Sequence, residues 1–93
     1  MYIDLIIWDD EGDLNGNYQH IVGTGEVTAE EVEEVLRSHQ GGPDDYSNTS
    51  GLPIIFGTTF TGKRIAVIYL DQGDGDLVII YPVAAHPVLE YGG

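Results

Sequence analysis

Apolar and polar positions along the chain sort into six segments. Tyr2 to Trp8 is a compact run of Ile, Leu and aromatic residues, stopped by Asp9-Asp10-Glu11-Gly12-Asp13. It is too short for a helix and predicts a buried strand followed by a turn. Between Leu14 and Gly23, Tyr18, Ile21 and Val22 fall at i, i+3 and i+4, which favours a short helix bracketed by Gly16, Gly23 and Gly25.

The next segment begins at Thr28. Thr28 and Glu31 have the spacing of a capping box, in which each side chain satisfies the other's free backbone N–H. Val32, Val35 and Leu36 then form an apolar stripe. Glu30, Glu31, Glu33 and Glu34 crowd the first turns and Arg37 and His39 the end, as the helix dipole favours. Gln40-Gly41-Gly42-Pro43 stops this second helix.

Pro43 to Gly51 is polar and reads as a loop. Three strand-like runs follow, Pro53 to Thr59, Arg64 to Leu70 and Leu77 to Val83. Phe60-Thr61-Gly62-Lys63 joins the first two as a hairpin turn with glycine where positive φ is needed. A Gly-rich turn, Asp71 to Asp76, joins the second pair. Pro82 and Pro87 are expected to break the pattern, and Glu90 to Gly93 to fray. The order β-α-α-β-β-β implies one α+β domain over residues 1–93: an N-terminal strand, two helices, then a three-stranded antiparallel meander with the helices on one face.

Charge narrows the function. Sixteen acidic residues against three basic ones give a net charge of −13. Phosphate backbones are bound through several Lys or Arg side chains, and here only Arg37, Lys63 and Arg64 exist. Nucleic acid and anionic membranes are therefore not the expected partners, whereas a cationic protein is. A carboxylate surface that mimics a phosphate backbone is a related form of the same expectation. The absence of cysteine excludes disulfides and thiolate sites and suits a reducing cytoplasm. No apolar run approaches the roughly 20 residues of a spanning helix, and Met1-Tyr2-Ile3-Asp4 lacks the features of a signal peptide.

Candidate chemistry is sparse. Counted as a calcium loop from Glu11, Asp13, Asn15 and Gly16 take positions 3, 5 and 6, but Val22 stands where the closing bidentate Glu belongs. Asp71, Asp74 and Asp76 crowd one turn with nothing to complete a cation site. His20, His39 and His86 lie on three separate elements. No cofactor motif is present, and no cofactor or metal is expected. Lys63 and Arg64 concentrate the positive charge, yet strand alternation sends them to opposite faces.

One string of features resembles a family. Trp8-Asp9, Asn17, Val27-Thr28-Ala29-Glu30-Glu31-Val32, and the hairpin from Gly57 through Gly62-Lys63-Arg64 to Tyr69 are similar to the BrnT-type toxins. These are small ribonucleases with a RelE-like fold from bacterial toxin–antitoxin pairs. The resemblance, from about Trp8 to Ala85, implies that fold and an antitoxin-like partner. Gly23-Thr24-Gly25 stands where members usually carry Lys-His-Gly, and Pro82-Val83-Ala84-Ala85 where they carry Ala-Arg-x-Ala. Lys63 alone matches a family basic position. The leading expectation is a non-catalytic domain acting through protein contacts. The alternative is a residual ribonuclease that binds phosphate with Lys63 and Arg64 and uses His20 or His86 as acid or base.

Overall fold

The computed structural model describes residues 2–88, and the fraying expected of Glu90 to Gly93 lies outside them. The elements run β1 (Leu5–Ile6), α1 (Asn17–Ile21), a 3-10 turn (Val22–Thr24), α2 (Ala29–Ser38), β2 (Asp45–Tyr46), β3 (Pro53–Thr58), β4 (Arg64–Asp71) and β5 (Ile79–Pro87). They form an α+β fold around a five-stranded sheet ordered β1-β5-β4-β3-β2. Among the described residues no helix is long and apolar enough to cross a membrane.

The capping box at α2 is present in full, with the Thr28 side chain accepting from the Glu31 N–H and Glu31 accepting from the Thr28 N–H. Gly62 takes φ +94° in the β3–β4 turn, as its place in the hairpin requires.

The sheet departs from the expected three-stranded meander in three ways. The N-terminal strand shrinks to two residues and joins the sheet by parallel pairing with β5, Leu5 opposite Ile79 and Ile6 opposite Ile80. That makes the sheet mixed, a long-range pairing that no local pattern announces. Inside the expected loop 43–51, Asp45 and Tyr46 pair with Ile54 and Pro53 as an edge strand. The last strand starts two residues later than its apolar run and continues through Pro82 to Pro87.

The prolines fail to break β5 because of where their missing N–H groups would point. Gln72 N–H donates to the Ile79 carbonyl, so Ile79 bonds toward β4, while the Ile80 carbonyl accepts from Ile7 N–H on the β1 side. Pro82, two residues on, therefore also faces away from β4, and its carbonyl is taken there by Asn17. Ile68 pairs with Ala84 and Tyr69 with Pro82, which leaves Val83 as the extra residue of a bulge. Beyond it Val88 N–H donates to Arg64, so Pro87 again faces outward. Neither proline removes a bond to β4.

Register and burial separate the two faces of the sheet. Ile55, Ile65, Val67, Tyr69, Ile80 and Ala85 point to the helices and join Ile21, Val27, Val32, Val35 and Leu36 in one core. Gly57 belongs to this face: a Cβ there would lie 2.7 Å from Val35 Cγ1, so glycine lets α2 settle on β3.

Candidate functional site

The start of the chain is fastened by a reciprocal clasp. Asp9 N–H donates to Asn17 Oδ1 at 2.8 Å, and Asn17 N–H donates to Asp9 Oδ2 at 2.9 Å. Asn17 Nδ2 donates to the Ile7 and Pro82 carbonyls, both at 2.9 Å, and the Tyr81 hydroxyl donates to Asp9 Oδ2. Asn17 is buried with its amide fully engaged, a polar group satisfied in the way burial demands. Gly16 stands so close that a Cβ would lie 2.5 Å from Asp9 Cβ. Trp8 extends the clasp to both helices, donating from Nε1 to Glu33 at 3.0 Å and meeting the Tyr18 ring edge-on at 5.9 Å. The bond from Tyr81, and then the Asn17 backbone bond, hold the Asp9 carboxyl below its ordinary pKa. The bond to Asp9 in turn pushes the Tyr81 phenol up. Trp8, Asp9 and Asn17 thus serve to join β1, α1 and β5.

Beside the clasp lies an open cleft of about 360 Å³, lined by Leu14, Asn15, Gly16, Asn17, His20, Tyr81 and Val83. His20 is on its wall, and neither Lys63, Arg64 nor His86 lines it. Lys63 turns to the helix side. Its ammonium lies 3.2 Å from Glu31 Oε1 and donates to the Glu26 carbonyl, tying the β3–β4 turn to the start of α2. Burial raises the Glu31 pKa, but the Thr28 N–H and the Lys63 ammonium outweigh it and the net shift is downward. Arg64 turns to the other face, with its guanidinium 6.0 Å from the Phe56 ring centre and 3.4 Å from Thr58 Oγ1. His86 is exposed opposite Ala66, one register row from Arg64. The structure therefore brings Arg64 and His86 to one end of one face and separates them from Lys63.

The acidic loops are internally satisfied turns. Asp10 accepts from Gly12 N–H at 2.8 Å, Asp13 from Asn15 N–H at 3.0 Å, and Asp71 from Gly73 N–H at 2.9 Å. Among the described residues no group of three His, Asp or Glu side chains is placed to hold a metal ion.

The larger feature is the sheet face away from the helices. Register places Ala84, Ile68 and Ile54 in one row, Tyr81 beside Leu70 in the next, and Leu5 beside Ile79 beyond. Phe56 and Ala66 continue it toward Arg64 and His86. Leu5 is 51% exposed and Leu70 37%, and Ile54, Phe56, Ile68, Ile79 and Tyr81 are half-buried. Exposed apolar patches are a recurrent feature of interaction surfaces. The signal of this face stands in the sequence: Ile65-Ala66-Val67-Ile68-Tyr69-Leu70 and Ile79-Ile80-Tyr81-Pro82-Val83-Ala84-Ala85 are unbroken apolar runs. Such runs suit strands covered on both faces, whereas a strand with one wet face alternates. No family model, curated protein or solved structure matches the chain.

Proposed function

We propose that the protein is a RelE/BrnT-like domain of the cytoplasm that acts through protein–protein contact rather than catalysis, with the open sheet face as its binding surface. One observation carries this reading. Three central strands are apolar on both sides, and the helices cover only one side. A partner that covers the second face completes the burial for which the strands are composed. The net charge of −13 favours a cationic partner and opposes RNA.

The ribonuclease alternative needs cations and a histidine around one scissile phosphate. Lys63 is held by Glu31 and the Glu26 carbonyl, and the cleft that holds His20 contains no cationic Lys or Arg. An RNA degradation assay at low and physiological salt separates the readings, comparing wild type with Lys63→Ala/Arg64→Ala and confirming folding by circular dichroism. The expected result is no cleavage by either protein. Cleavage by wild type that disappears in the double variant overturns the binding-domain reading.

A further inference from the structure

We infer that Asn15 is a site of spontaneous chemical modification: its side-chain amide is lost to attack by the Gly16 backbone nitrogen, a reaction that the Asp9–Asn17 clasp slows and whose product breaks the clasp. The inference goes beyond the binding-domain reading and does not depend on it.

Asn15-Gly16 is the only Asn-Gly pair in the chain. Asparagine amides are among the thermally labile groups of proteins, and a following glycine, with no Cβ, leaves its nitrogen unhindered. The Gly16 nitrogen gives up its proton and adds to Asn15 Cγ. The bond from Cγ to the side-chain nitrogen then breaks, and that nitrogen leaves as ammonia with one proton regained. Water opens the resulting five-membered imide at either carbonyl, giving aspartate or isoaspartate at position 15. Water is the only co-reactant.

Access to the amide is open, but the nucleophile is restrained. Asn15 is exposed and lines the open cleft, where water reaches Cγ and ammonia escapes. Gly16 is buried, and its N–H donates to the Asp13 carbonyl at 3.0 Å. The Asn15 N–H donates to Asp13 Oδ1, also at 3.0 Å. Asn17, the next residue, is fixed to Asp9 through its N–H and its side chain. Imide formation removes the Gly16 hydrogen and with it the bond to Asp13, so the reaction waits on local opening of this turn.

The product acts on the clasp from within. Isoaspartate routes the main chain through Cβ and Cγ, one carbon longer, directly before Gly16. There a single added Cβ would already lie 2.5 Å from Asp9 Cβ, so the extra length has no room. Both products also add a negative charge to a turn that contains Asp13 and is bonded to Asp9. The bonds at risk are those by which Asn17 joins α1 to the chain before it and to β5.

The test follows the purified full chain at mildly alkaline pH and body temperature, with peptide mapping and electron-transfer fragmentation to locate the product. Wild type is expected to gain aspartate and isoaspartate at position 15 about tenfold more slowly when folded than in urea, the factor for one amide hydrogen bond and its packing. Tyr81→Phe takes one bond from Asp9 and keeps Asn17, and it is expected to react faster than folded wild type. Asn15→Ser is expected to stay unmodified at this position. The isoaspartate form, separated from fresh protein by its added charge, is expected to melt lower. Asn15→Asp, with the charge but an ordinary main chain, is expected to melt closer to the fresh protein. Equal rates in folded and urea-unfolded wild type overturn the restraint by the clasp. An Asn15 that stays intact in the folded chain while the unfolded chain reacts to completion overturns the modification of the native protein. An isoaspartate form that melts with the fresh protein overturns its effect on the clasp.

Discussion

Asn17 does more for the fold than its position in a five-residue helix suggests. Its side chain satisfies the Asp9 N–H and the Ile7 and Pro82 carbonyls in a buried setting. Asn17→Ala strands those groups, and a loss of roughly 3 kcal/mol in chemical denaturation is expected. The adjacent Tyr81–Asp9 pair makes a pH prediction whose sign follows from linkage. The Asp9 pKa is lowered in the folded chain, so its contribution is present above the unfolded carboxylate value and is lost as pH falls through the folded one. The Tyr81 pKa is raised, so its contribution holds below about pH 10 and is lost as pH climbs past the folded value. Tyr81→Phe is expected to be less stable than wild type at neutral pH, with the difference shrinking below about pH 4 as Asp9 protonates. Thermal melts across that range check it, and a difference unchanged at low pH contradicts the bond. Trp8-Asp9 and Asn17 were legible as a pattern in the sequence. Their work as a clasp was not, because the third partner, Tyr81, is contributed from the far end of the chain.

At the scale of elements, local signals read well wherever the cause is local. The Thr28–Glu31 box, the Val32-Val35-Leu36 stripe and the glycine of the β3–β4 turn all sit within a few residues of what they determine. The expected opposite facing of Lys63 and Arg64 also holds, one toward Glu31 and the other over Phe56. Elements defined by long-range pairing were hidden. β2 has only two residues, both polar or aromatic, and exists because Ile54 and Pro53 pair with it. β5 looked broken at Pro82 because the tolerance of a strand proline depends on which side its nitrogen faces, a fact of the sheet rather than of the sequence. The α2–β3 contact makes a prediction at this scale. A methyl at Gly57 meets a fully buried, β-branched Val35 that has little freedom to turn aside. Gly57→Ala is expected to cost about 1–3 kcal/mol, measurable by urea denaturation, and Gly57→Ala/Val35→Ala to recover part of the steric loss while leaving a cavity. An unperturbed midpoint in the single variant contradicts the close approach.

The whole molecule is asymmetric. One side of the sheet is covered by α1, α2 and the core they share with it, and the other presents apolar rows with Arg64 and His86 at one end. Composition alone carried the net charge and the argument against a phosphate-binding surface. The unbroken apolar runs of β4 and β5 carried the second face as well, although only the placement of both helices on one side shows that this face is left open. The most direct test of the central claim is photo-crosslinking in the protein's native cells, with a benzophenone amino acid at Leu70 on the open face or at Glu30 on the exposed start of α2. The account predicts a discrete protein adduct from Leu70, lost when Ile54 and Ile68 are both changed to Ser in a protein that still folds, and no such adduct from Glu30. An adduct from Glu30 with none from Leu70 would place the partner on the helix side and contradict it.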